Sequence, residues 1–85
     1  MEIVFSSEAL KDLDYWKKSG NKKVVEKIKS LLEEIQQTPF TGTSKPEALK
    51  HNWTGYWSRR ITSEHRLVYK VEQDTLYVAQ LRYHY

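Results

Sequence analysis

Apolar side chains change their period twice along this chain, and each change predicts a different element. Met1 to Phe5 is a short apolar run with β-branched Ile3 and Val4, which predicts a strand. Ser6 or Ser7 can then accept a hydrogen bond from an orphan amide of a following helix. Leu10, Leu13 and Trp16 or Lys17 recur at three-to-four spacing, with Lys11, Asp12, Asp14 and Lys18 on the other side, until Gly20 interrupts the pattern. From Asn21 a clearer helix follows, in which Val24, Val25, Ile28, Leu31, Leu32 and Ile35 form one stripe opposite Lys and Glu. Thr38-Pro39 ends it, because a residue before proline is pushed away from helical angles.

A polar stretch of roughly a dozen residues containing Gly42 and Pro46 comes next, long enough for loop-length priors to favour a functional role. Beyond it, segments 53–62, 65–71 and 75–83 are rich in Trp, Tyr, Ile, Val and Thr and are separated by short turns, which predicts three strands. The order β-α-α-β-β-β predicts an α+β fold, with both helices packed on one face of an antiparallel sheet and a single domain over residues 1–85. Odd-length turns at Ser63 and near Gln73 would turn Ile61, Leu67, Tyr69, Val71, Tyr77, Ala79 and Leu81 toward the helices. Ser58, Arg60, Arg66, Gln80, Arg82 and His84 would then share the open face, although a one-residue slip would set Arg66 beside Ala79 and Leu81 instead.

Composition narrows the function. Eighty-five residues at 39% hydrophobic hold one small core, so stability is modest and a second copy is expected to contribute as a homodimer. The chain has no cysteine, which excludes disulfides and thiolate chemistry, and its His, Asp and Glu show no HExxH-type spacing. No metal and no cofactor is therefore expected. The N-terminus has neither a basic nor an apolar leader region and no stretch is long enough for a membrane span, so a cytoplasmic location is expected.

The net charge of +3 is confined to one half of the chain. Residues 1–37 carry seven Lys against seven Asp or Glu, whereas residues 38–85 carry seven Lys or Arg against four acids, with all four Arg, all three His and eight of the eleven aromatics. Arginine interleaved with aromatic rings is the mixture that contacts phosphate by forked hydrogen bonds and bases by stacking. Arg60, Arg66, Arg82 and His84, bordered by a loop bearing Lys45, Glu47 and Lys50, supply what RNA cleavage needs. RNA carries its own nucleophile in the 2′-hydroxyl, so an enzyme adds a base, cations for the charge developing on phosphorus and an acid for the departing 5′-oxygen. Histidine suits proton donation, with an ordinary pKa of about 6.5, and glutamate, near about 4.3, suits the base role less well. A Glu between two lysines in a loop, as Glu47 is, is more often a solvated surface charge than a base, and Arg66 is equally placed to pair with Glu64 or Glu47.

The segments TPF (38–40), KPEALKHN (45–52), GYWSRRI (55–61), EHRLVY (64–69) and RYHY (82–85), with YW at 15–16, resemble the YoeB toxins, a branch of the RelE superfamily of toxin-antitoxin modules, over essentially the whole chain. The resemblance implies a microbial-RNase-like, RelE-like fold and a ribosome-dependent mRNA endonuclease that enters the A site on the 30S subunit of the 70S ribosome. It further implies neutralisation by a YefM-type antitoxin. By the same resemblance Glu47, Arg66, His84 and Tyr85 form the catalytic set, with Lys50 and Arg60 beside the substrate phosphates. Lys45 and Arg82 join them as expected RNA contacts by charge. The alternatives are a non-catalytic ribosome or RNA binder that blocks translation, and a protein-interaction domain that receives an acidic peptide.

Overall fold

The computed structural model describes residues 1–82. Strand β1 (Glu2–Phe5) leads into helices α1 (Ser7–Lys18) and α2 (Lys22–Gln37), followed by a two-residue strand β2 (Glu47–Ala48) and a 3-10 turn (His51–Trp53). Strands β3 (Trp57–Arg60), β4 (Arg66–Glu72) and β5 (Thr75–Gln80) complete a five-stranded sheet of order β1-β5-β4-β3-β2. The α+β arrangement of two helices on one sheet is the expected one. The sheet, however, is mixed. β1 pairs in parallel with β5, since the rest of the domain intervenes and supplies the long connection that a parallel pair requires. β2, inside the expected loop, adds a fifth strand antiparallel to β3.

Side-chain caps set both helix starts. Ser6 Oγ accepts the Ala9 N–H at 3.0 Å, and Asn21 Oδ1 accepts the Val24 N–H at 3.2 Å, each satisfying one orphan amide. α2 buries Val24, Ile28, Leu31 and Ile35 as its stripe predicts. α1 is rotated from its predicted orientation: Ala9, Asp12 and Trp16 are buried while Leu10 is 54% exposed. Asp12, expected on the solvent side, turns inward because its carboxylate takes the Leu81 N–H at 2.9 Å.

Register decides the two sheet faces. Arg60 lies opposite Arg66 and Ser58 opposite Val68, so the connection between β3 and β4 is odd in length, as expected. Between β4 and β5 the count is even. Glu72 lies opposite Thr75 across a two-residue turn with Gln73 at φ 55°, which shifts β5 by one position. Leu76 and Val78 therefore join the core in place of Tyr77 and Ala79. A bulge then restores the parity: Tyr69 faces Val78 but Val68 faces Gln80, so Ala79 is the extra residue, and Leu81 returns to the core. Ser6 Oγ accommodates the bulge by donating to the Ala79 carbonyl at 2.6 Å.

Candidate active site on the open sheet face

Side chains on β4 alternate, which sends Leu67 and Tyr69 into the helix-covered core and leaves Arg66 on the other face. Arg66 is only 5% exposed, so its guanidinium is held by what surrounds it. Its Nε donates to Ser58 Oγ at 2.9 Å, and Nη2 donates to Glu47 Oε1 at 2.9 Å and to the Lys45 carbonyl at 3.1 Å. Three strands contribute to or adjoin this cluster, because Glu47 lies opposite Ser58 and Arg60 opposite Arg66. Glu47 remains more than half exposed on its side chain and so faces solvent while paired. Arg60 is exposed beside it.

The loop backbone is bent to make these contacts. Ser44 and Lys45 occupy left-handed conformations at φ 65° and 52°, an arrangement that non-glycine residues adopt only where surrounding contacts enforce it. Those contacts are present: the Ser44 carbonyl accepts the Arg60 N–H at 2.7 Å, Lys27 Nζ donates to Ser44 Oγ at 2.7 Å, and the Lys45 carbonyl receives Arg66. Beyond Glu47, Lys50 opens the 3-10 turn, and the two residues line one cleft of about 400 Å3 with His51 and Trp53.

A second arginine holds the same loop from the opposite face. Arg59 is fully buried against α2, with Nη1 3.1 Å from Glu34 Oε1, Nη2 donating to the carbonyls of Thr38 and Thr41, and Nε close to the Tyr69 hydroxyl. Tyr69 in turn donates to the Pro39 carbonyl. Glu34 accepts the Thr43 hydroxyl at 2.6 Å and the Thr43 N–H at 3.0 Å. These bonds, with Arg59 and Lys27 adding charge, hold the Glu34 carboxyl below its usual pKa range. Gly42 fits between the two ions at φ 118°, where an added Cβ would come within 2.5 Å of Glu34 Oε2. The stretch 41–44 is thus anchored by Arg59, Glu34 and Lys27.

Of the expected site residues, the structure brings together Glu47, Arg66, Arg60 and the Lys45 main chain, with Lys50 in the adjoining cleft. Arg82 is placed elsewhere: its guanidinium carbon lies 3.5 Å from the Tyr15 ring centroid, against α1. The chain leaves the β-ladder after Gln80, and this lets Arg82 depart from the open face expected of it. His84 and Tyr85 lie outside the described residues. β5 does run toward this cluster, since Gln80 pairs with Val68, two residues from Arg66 on β4. Sequence reading did not single out Arg59, Glu34 or Asp12. For Arg59 a signal existed, since adjacent strand residues point to opposite faces and only one of Arg59 and Arg60 can be solvated.

Comparison with known proteins identifies the family and the fold. Residues 5–85 match the model of the family described as YoeB-like toxin of bacterial type II toxin-antitoxin system. The chain is 51% identical to Toxin YoeB of Escherichia coli (strain K12) over 85 residues, the full length of both. A YoeB-YefM complex from Staphylococcus aureus superposes with a TM-score of 0.90 at 46% identity, covering 100% of this chain and 98% of that one. A YoeB dimer from the same organism gives 0.91 at 45% identity, with the same coverage.

Proposed function

The chain belongs to the YoeB-like toxins of bacterial type II toxin-antitoxin systems, and on that premise we propose that it is a ribosome-dependent endoribonuclease that cuts mRNA in the A site. The observation that carries this reading is the Arg66 fork, fixed between Ser58, Glu47 and the Lys45 carbonyl beside Arg60. A guanidinium already oriented by protein contacts stabilises charge on a phosphate without reorganising during the reaction.

In the proposed reaction the 2′-oxygen attacks phosphorus as Glu47, with Lys50 at hand, takes the 2′-hydroxyl proton. Arg66 and Arg60 neutralise the charge that builds on the non-bridging oxygens. The bond from phosphorus to the 5′-oxygen breaks as His84 donates a proton to that oxygen, and Tyr85 orients the phosphate or a base. The products are a 2′,3′-cyclic phosphate, which water opens to a 3′-phosphate, and a 5′-hydroxyl fragment. Glu47 can turn from Arg66 to the substrate because its carboxylate is more than half exposed and the incoming phosphate takes its place beside the buried guanidinium. A YefM-type antitoxin would inhibit by laying an acidic segment over the cationic face or by moving His84, and the chain would assemble as a homodimer.

The test is cell-free translation of a defined message with purified protein, mapping mRNA 5′ ends for the wild type and His84→Gln. Breaks within translated codons that require ribosomes and vanish in the variant are expected. Translation that stops in both while the message stays whole would make the protein a blocker rather than a nuclease.

A further inference from the structure

Two rows of side chains cross the open sheet face, and only one of them belongs to the site described above. Four residues along β4 from Arg66, Lys70 lies opposite Tyr77 of β5, and Tyr77 lies opposite Val4 of β1. Tyr56, just before β3, borders Lys70 on its other side, with the ammonium 5.3 Å from the Tyr56 ring centroid and 5.4 Å from that of Tyr77. Together with Glu72 these residues line a cleft of about 410 Å3. Tyr56 and Tyr77 are both half-buried, and Val4 is 40% exposed.

The chemistry of this cleft differs from that of the Arg66 cluster. Lys70 Nζ is 3.0 Å from Glu72 Oε1, so its charge is matched within the protein, and that contact holds it protonated above the ordinary lysine range. What the cleft offers a ligand is two aromatic rings steadied by a cation between them, with an apolar wall at Val4. Such a surface suits a flat, neutral, polarisable group better than a phosphate. Its position supplies the occupant. At about 3.4 Å per residue, Lys70 is roughly 14 Å along the strand from Arg66 on the same face. A single strand drawn out straight over the sheet advances about 3.4 Å or more per nucleotide, so about four nucleotides or fewer bridge the two rows.

We propose that Tyr56 and Tyr77 form a base-stacking subsite that holds one unpaired RNA base within four nucleotides of the phosphate at Arg66. The inference rests on the nuclease reading and deepens it. Arg66 receives the phosphate to be cut, and the tyrosines fix the strand's register over the sheet. A ring stacks on any base, so the subsite adds grip without a strong preference for sequence.

The experiment is single-turnover cleavage on ribosomes programmed with a defined message, with toxin concentration varied. Proteins are the wild type, Tyr56→Leu, Tyr77→Leu and Tyr77→Phe, each checked for its thermal melt. Messages carry one abasic nucleotide at each of the four positions on either side of the cut. The leucine variants should raise the half-saturating toxin concentration about tenfold, while Tyr77→Phe, which keeps the ring, stays near wild type. One abasic position should reproduce that loss in the wild type and add nothing to it in a leucine variant. Leucine variants that cleave as the wild type does, or abasic penalties equal in both proteins, would overturn the subsite and leave the nuclease reading standing. Leucine variants that cleave normally but lose affinity for an antitoxin would assign the face to a protein partner instead. A message left whole by the wild type would overturn both readings.

Discussion

Asp12 Oδ2 accepts the main-chain N–H of Leu81 at 2.9 Å, and one turn along the same helix Trp16 Nε1 donates to the Leu81 carbonyl, also at 2.9 Å. Both main-chain groups of the residue where β5 leaves the ladder are thereby satisfied by α1, which secures the chain just before the segment carrying His84. Burial pushes the Asp12 carboxyl above its ordinary value of 3.8, more than the Leu81 hydrogen bond draws it down. The native state therefore holds this proton more tightly than the unfolded chain does. The associated stability is greatest in acid and is lost as pH rises through the raised pKa.

Asp12→Asn keeps an acceptor for Leu81 without a charge to desolvate. Its melting temperature should equal or exceed that of the wild type at pH 7, with the advantage shrinking toward pH 4. Asp12→Ala strands the buried Leu81 N–H and should cost about 1–3 kcal/mol. Urea titrations of the three proteins at both pH values decide the matter, and an asparagine variant as unstable as the alanine variant would show that the charge itself is needed.

Glu34 should respond to pH in the opposite sense. Its carboxyl sits below the usual 4.5 in the fold, chiefly through the two Thr43 hydrogen bonds, so its contribution is complete above that value and is lost as pH falls through the lowered pKa. Glu34→Gln should flatten the acid limb of stability against pH, measured by chemical denaturation between pH 3 and 7.

Gly42 tests the same loop anchor sterically. Gly42→Ala forces a side chain into a left-handed backbone position and against a Glu34 carboxylate that Arg59 and Thr43 keep from moving aside. A loss of about 1–3 kcal/mol is expected. Gly20→Ala makes a useful comparison, since its left-handed φ of 73° carries the backbone strain while no atom lies within 4 Å of the added Cβ. Equal losses from the two variants would refute the steric part of the argument.

Arg66→Ala should slow mRNA cleavage on the order of a hundredfold or more, with the fold retained because Glu47 is left in solvent. Arg66→Lys restores the charge but not the fork that reaches Ser58 and Glu47 together, so it should recover only part of the rate. Single-turnover cleavage beside circular dichroism measures both quantities, and wild-type cleavage by the alanine variant would remove Arg66 from the mechanism.

Affinity for an acidic antitoxin segment should fall steeply with salt if the exposed Arg60 receives it, because screening acts on exposed charges. Calorimetric titrations from low to high salt read this directly. Near-indifference to salt would locate the interface on apolar surface instead.

Much of this architecture was legible in the order of residues. Helix α2 could be read because a stripe from Val24 to Ile35 has one stable disposal, against a flat apolar face. The odd connection between Ser58 and Val68 fixed which side of the sheet Arg60 and Arg66 share. Spacing in the segments around Glu47, Arg66 and the terminal RYHY carried the family resemblance.

Other features existed only once distant segments met. A two-residue turn at Gln73 and a bulge at Ala79 reversed and then restored the parity of β5, because register depends on counting pairs and turn length is not written in hydrophobicity. Asp12 looks like a surface charge until Leu81, 69 residues away, presents an amide to it. Arg59 looks like its neighbour Arg60 until the pleat turns it inward to Glu34. Local pattern determined which elements form and which face of each is apolar, since those follow from period and propensity. The placement of buried polar groups was decided by tertiary contact, since a charge or an amide can leave water only where a partner from elsewhere in the chain is waiting for it.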